Sequence, residues 1–367
     1  MSPQLEVQLI AIVIAAACAL PGVFLVLRRM AMMSDAISHT VLFGIVIGYF
    51  VTRDQASPLL FLGAVLTGVL TVALVELLNS TRLVKEDTAI GLIFPVLFSI
   101  AVILISTFAS NVHLDVDTVL LGELAFAPFD RVTIFGLDLP RALAVGSAML
   151  LLNLVLVAAF FKELKLATFD AGLAAALGFA PALIHYGLMT VVSITAVGAF
   201  DAVGSILVIA LMVAPPAAAY LLTDRLSYML MLSALFGSAS AFLGYWMAFS
   251  LDASIAGSMA TMSGLLFGLT WLFAPERGLV AQSVRRNEQR YAFAQQMLAM
   301  HLLNHESTPD EPVENELEHL ISSLRWQPSF AERVVQRAER DGFIQRSGVQ
   351  LALTERGRTL AQQASLM

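Results

Sequence analysis

Asp35 and His39 stand four residues apart in MSDAISHTVLFG, residues 33–44, a stretch otherwise made of apolar or small side chains. On a helix this spacing places carboxylate and imidazole one turn apart on one face. A carboxylate oxygen beside an imidazole nitrogen suits Mn(II), Fe(II) or Zn(II). A sparse pair, unlike a closed cage, releases its ion again. An ionisable residue at bilayer depth costs at least a few kcal/mol unless it has a partner or a water-filled path. A second reading stays open: Asp35 caps a helix start while His39 hydrogen-bonds a neighbouring helix.

Other residues carry donors at suggestive places. NVHLDVD supplies His113, Asp115 and Asp117, which make either an outer landing point for a cation or an ordinary polar loop. HLLNHE repeats the one-turn spacing with His301 and His305 beside Glu306, giving a regulatory metal site or a solvated helix face. Asp201 either caps a helix or faces a pore, and the cap is expected; Asp87 and Thr88 read as an N-cap. Pro215-Pro216 removes backbone donors inside an apolar run, which is tolerated only where neighbours or water satisfy the freed carbonyls. The pair is a packing kink or a gate. KELKLATFDAGLAAALGFA, residues 162–180, is helix-prone and rich in small residues, so another backbone can approach closely. It is a helix that docks into a partner's groove, or a plain connector. No G-x-x-x-x-G-K-[ST] phosphate loop occurs, so the chain is not expected to be an ATPase itself.

The elements that must hold these residues follow from composition. Hydrophobic residues make up 58% and charged residues 13%, with a mean hydropathy of +0.80. Soluble domains carry about a quarter charged residues, so the chain is expected to be embedded in lipid. The formal charge of -7 says little, because acids and bases cluster near the C-terminus. The single Cys18 excludes a disulfide within the chain and a cysteine-rich metal site. Spanning helices need roughly 17–25 apolar residues. Nine runs qualify: 5–27, 31–51, 58–78, 88–108, 141–161, 181–200, 202–222, 226–249 and 255–273, the sixth and seventh split at Asp201. The first lacks a basic leader and is too long for a signal core, so it is expected to stay as an anchor. With the N-terminus outside, Arg28, Arg29, Arg82, Lys85, Lys162, Lys165, Arg225 and Arg277 fall inside, which is the orientation the positive-inside rule selects. The connection 109–140 is long, and its apolar patch 119–129 suggests a short surface helix. Three domains are expected: a membrane domain over 1–276, a helical connector and linker over 277–312, and a small cytoplasmic domain over 313–367. The last reads as helix, helix, hairpin and helix, its final helix capped by Thr354.

Four stretches together, MMSDAISHTVLFG, KEDTAIGLIFPVLFSIAVILIS, FDAGLAAALGFAP and AVGSILVIALMVAPPAAAYLL, resemble the ABC-3 family of metal-ion importer permeases over about residues 5–275. The resemblance implies an all-α polytopic membrane protein of the type II ABC importer permease fold, in a bacterial inner membrane. It implies a second permease subunit, identical or homologous, a cytoplasmic ABC ATPase dimer, and an extracytoplasmic metal-binding protein. The transported ion would be Mn, Zn or Fe, with no tightly bound cofactor. Asp35 and His39 fall on the family's candidate metal ligands, and Phe169, Asp170 and Gly178 on its ATPase-coupling segment. Ser34, Thr40 and Phe43 depart from the family pattern. SFAERVVQRAERDGFI and LTERGRTLA resemble the winged helix of DtxR/MntR-type metal-dependent repressors, an α+β unit. From residue 281 onward ten Arg and no Lys face eleven Asp or Glu, which argues for a docking or regulatory module rather than a DNA reader. The competing classes are an ion-coupled secondary transporter, which tends to show inverted repeats, and a membrane-tethered regulator.

Overall fold

The computed structural model describes residues 2–54, 57–108, 124–134, 136–309 and 311–365. The chain divides into two compact units, Met1–Gly278 and Leu279–Met367. The first contains α1 (Pro3–Leu27), α2 (Ala31–Thr52), α3 (Pro58–Ser80), α4 (Glu86–Phe108), a hairpin β1 (Arg131–Ile134) and β2 (Leu137–Pro140), α5 (Arg141–Ala159), α6 (Phe161–Phe169), α7 (Ala171–Ala176), α8 (Pro181–Leu222), α9 (Leu226–Leu251) and α10 (Ile255–Phe273). Eight of these helices, all but α6 and α7, are long and apolar enough to cross a membrane.

In lipid the backbone must satisfy its own polar groups, and helices do so within each segment. Association then rests on packing and on buried hydrogen bonds. The innermost helix is α1, whose Ile10, Ile14, Cys18, Phe24 and Leu25 are buried beside Met189, Leu207, Leu211 and Met212 of α8. Asn153 of α5 donates to the carbonyl of Ala17 at 2.8 Å and to Thr195 Oγ1 of α8 at 3.0 Å, tying three helices at one level. Gly44 of α2 and Gly63 of α3 bring their backbones into direct contact, and a Cβ on either would strike the other's carbonyl. At one end of α1, Arg131 of the hairpin pairs with Glu6 at 3.2 Å and with Asp138 at 2.7 Å.

α8 corrects the expected boundary at Asp201. Asp201 lies inside the helix, in the last turn before a break at Gly204, and so does not cap the second arm. Gly204 has φ 74° and ψ 162°, a region open in practice only to glycine. The chain doubles back there. Thr195 in the first arm is level with Ala17, through Asn153, and Met212 in the second arm packs its backbone on Gly22. A straight helix would separate Thr195 from Met212 by roughly 25 Å, whereas Ala17 to Gly22 covers only about 7.5 Å. Pro215-Pro216 lies buried in the second arm without disturbing its helical backbone. Of the apolar patch 119–129, residues 124–129 form turns; the rest lies outside the described residues, as do His113, Asp115 and Asp117.

The second unit contains α11 (Leu279–His305), α12 (Glu311–Glu314), α13 (Leu317–Ser323), α14 (Pro328–Arg340), the antiparallel hairpin β3 (Ile344–Ser347) and β4 (Gln350–Leu353), and α15 (Glu355–Ser365). Thr354 caps α15, its Oγ1 accepting from the Gly357 amide at 3.1 Å. The helix expected as a connector belongs to this unit's core. Tyr291, Leu298 and Leu302 of α11 pack with Leu320, Phe330, Val334 and Leu351. The last residue of the stretch expected as connector and linker meets β4 as well: the Pro312 carbonyl accepts from Gln350 Nε2 at 3.4 Å.

Candidate functional site

α2 owes its orientation to its small and apolar positions. Met33, Ala36, Ile37, Thr40 and Val41 are buried, so α2 turns that side toward the helix bundle. Thr71 of α3 fixes the packing by donating to Thr40 Oγ1 at 2.8 Å. Ser34 and Ser38 bond back to the carbonyls of Ala31 and Ser34, which leaves these hydroxyls satisfied within the helix. The residues at four-residue steps on the other side, Asp35, His39, Phe43 and Ile47, form the stripe that this chain leaves partly uncovered. His39 Nε2 lies 3.4 Å from Asp35 Oδ1, and the two side chains are 30% and 31% exposed. The His39 ring stacks on Phe94 of α4 at 5.4 Å and meets the edge of Phe98 at 6.0 Å. The two donors expected to act together are therefore together, on an open face, with the imidazole held by aromatic packing. Neither of the residues is consumed by a helix cap. Phe43 does not break the helix, which runs without interruption to Thr52.

The Phe169–Gly178 segment lies at the Arg28 end of α1. Asp170 caps α7 by accepting from the Leu173 amide at 2.8 Å. Gly178 ends the turn with φ 86°. Phe169, Leu173, Leu177 and Phe179 are exposed, apolar side chains carried on two short helices and the turn that follows them. Arg28 anchors the segment: its Nε donates to Thr168 Oγ1 at 3.2 Å, and its Nη1 is 3.2 Å from His185 Nδ1. Beside this contact Met30, Met33, Glu76, Asn79, Glu86 and His185 line a cavity of about 160 Å³. Glu76 and His185 were missed in the sequence. They sit on different helices more than a hundred residues apart, and no local spacing joins them.

The ABC 3 transport family matches residues 4–274, almost the whole membrane unit. The chain belongs to that family. It is a membrane permease, not a catalyst. This ABC 3 permease is 51% identical to the zinc transport system membrane protein TroD of Treponema pallidum, over 98% of both chains. It is 49% identical to the manganese transport system membrane protein MntD of Bacillus subtilis, over 75% of this chain and 93% of that one. Among solved structures it resembles PsaBC from Streptococcus pneumoniae in complex with Fab, at 29% identity and a TM-score of 0.62, covering 76% of this chain and 94% of that chain.

In the second unit of the permease, the rings of His301 and His305 lie 4.7 Å apart between centroids, tilted by 44°. Their carboxylate partner is not the neighbouring Glu306, which Arg358 engages at 2.6 Å. It is Glu314, whose Oε2 lies 3.5 Å from His301 Nε2 and 3.9 Å from His305 Nε2. His319 Nε2 approaches the same oxygen at 3.0 Å. Burial pushes the His301 imidazole below its ordinary pKa, which favours the neutral form. Glu314 and His319 were not singled out from the sequence, since they arrive on separate short helices.

Proposed function

We propose that the chain is the membrane-spanning subunit of an ATP-driven importer of divalent transition metal ions, Mn(II), Zn(II) or Fe(II), and that the ion passes Asp35 and His39. The observation that carries this reading is the stripe on α2: an acid and an imidazole 3.4 Å apart, inside a span, each left about a third exposed by this chain. Membership in the ABC 3 family and the names of the zinc and manganese relatives support the choice of cargo. Two ligands are fewer than the four to six such an ion usually takes. A second permease subunit, identical or homologous, that presents a like pair across the path would raise the set to four.

Energy comes from a separate ATPase dimer that docks on the exposed apolar side chains of Phe169–Gly178. The Arg28 bonds to Thr168 and His185 then carry its movement into α1 and α8. An extracytoplasmic metal-binding protein delivers the ion at the opposite end. The excess of basic residues at the Arg28 end supports a cytoplasmic placement of that end, in a bacterial plasma membrane with the N-terminus outside. The second unit is a winged-helix-like regulatory or docking module. Three of its arginines serve its own packing: Arg337 lies over Tyr291, Arg290 over Phe330, and Arg346 pairs with Glu332.

The test is metal accumulation in cells lacking their own importer. Asp35→Ala and His39→Ala should each lower uptake of radioactive Mn(II) or Zn(II) at least about tenfold at equal amounts in the membrane, since losing one of few ligands costs more than 1.4 kcal/mol. Parental uptake by both variants would remove the pair from the path.

A further inference from the structure

Three imidazoles converge on one carboxylate oxygen in the second unit. His301 and His305 come from α11, Glu314 closes α12, and His319 belongs to α13. We propose that His301, His305, His319 and Glu314 form a binding site for one divalent transition-metal ion, with Zn(II) the best match to the donor set. This inference goes beyond the transport reading and does not rest on it.

The distances favour a shared centre over a set of ordinary hydrogen bonds. Only His319, at 3.0 Å, is within normal bonding range of Glu314 Oε2; His301 and His305 stop at 3.5 and 3.9 Å. The ligand atoms of His301, His305 and Glu314 all lie within 4.8 Å of one another. An ion bonded at about 2.0–2.1 Å to His301, His305 and Glu314 needs side-chain shifts on the order of 1 Å; His319 stands outside that cluster, against Glu314, and would swing inward to complete the set. Three imidazoles and a carboxylate make a four-coordinate set of borderline donors, which Zn(II) takes as a tetrahedron and Co(II) reproduces. Among the described residues, the ion pairs of Glu314 are all with imidazoles. Arg358, which could have competed for it, is held by Glu306 and Glu355.

The scaffold suits the role. α11 is anchored by the buried Leu298 and Leu302 on either side of His301. Glu316 and Asn315, next in sequence to Glu314, are held to β4 by backbone contacts. His305 and His319 are 34% and 37% exposed, which gives an ion a way in from solvent. Binding would exchange the 3.3 Å contact of His301 with the Glu314 carbonyl for a metal bond and fasten α12 and α13 to α11.

The experiment uses the full chain in detergent carrying Asp35→Ala and His39→Ala, so that the membrane pair contributes no signal. After chelator treatment it is titrated with Co(II), then with Zn(II). One equivalent of Co(II) should give intense visible bands of four-coordinate geometry, which Zn(II) abolishes, and Zn(II) should raise the unfolding temperature. Adding His305→Asn and His319→Asn, at two partly exposed rings, should remove the bands and weaken Zn(II) binding at least about tenfold while the size-exclusion profile stays that of the parent. A parent that binds no stoichiometric Co(II), or bands that survive in the His305→Asn/His319→Asn chain, would overturn the proposal.

Discussion

Asn153 shows how much a single polar side chain can hold in an apolar bundle. It is fully buried and bonds to both Ala17 and Thr195. Asn153→Ala would strand the Ala17 carbonyl, while the Thr195 hydroxyl keeps its bond to the Val191 carbonyl; the group left unsatisfied costs about 1–3 kcal/mol. The expected outcome is a lower unfolding temperature in detergent, with the overall fold kept. Exposed charge pairs behave differently. Glu332 accepts from Arg346 Nη1 at 2.8 Å, which holds its carboxyl below the usual range. The folded state therefore binds the proton more weakly than the unfolded chain. The contribution is present above the ordinary glutamate pKa and lost as pH falls through the depressed one. Acid titration of the melting temperature should show less loss in Glu332→Gln, by a small margin, since such exposed pairs contribute little. At this scale the sequence was legible where two donors share one helix. Asp35 with His39 and His301 with His305 are one turn apart, and helical geometry alone brings each pair together. It was not legible where partners arrive from elsewhere, as Glu314, His319, Glu76 and His185 do, because tertiary packing and not spacing sets those distances.

At the scale of elements, the apolar runs announced nearly all the spans, since length and hydropathy decide what can cross a bilayer. The break in α8 was misplaced by three residues. A charge, Asp201, looked like the boundary, but the backbone turns where a residue without Cβ permits φ 74°, at Gly204. Gly204→Ala should cost of the order of 1–3 kcal/mol in backbone strain and reduce the amount of folded chain in the membrane, measured by fluorescence-detected size exclusion. The contact of Gly44 with Gly63 sets α2 against α3 as one body. Gly44→Ala should drive the helices apart, move Asp35 and His39 with α2, and lower both stability and metal uptake. Unchanged melting and uptake would show that the two backbones tolerate separation.

For the whole molecule, the segment 169–178, proposed above to dock the ATPase, is where the proposal predicts that chemistry outside this chain acts upon it. Phe169→Ala with Leu177→Ala removes two exposed apolar anchors without touching the bundle core. Metal-stimulated ATP hydrolysis and co-purification of the ATPase subunit should fall together, while the permease itself keeps its melting temperature. The second unit was legible in outline, because amphipathic period and the Thr354 cap mark its helices and hairpin. Its extent was not, since α11 reads as a connector until Tyr291, Leu298 and Leu302 are seen in the core. Cys18, sealed in the middle of α1 with no exposed surface, has one more consequence. To a maleimide in water this protein presents no thiol. A cysteine introduced at Leu83, 87% exposed between α3 and α4, or at Asp54, at the other end of α3, will be labelled without background. With an impermeant reagent on intact cells, the position that reacts declares which end of the bundle meets the outside world.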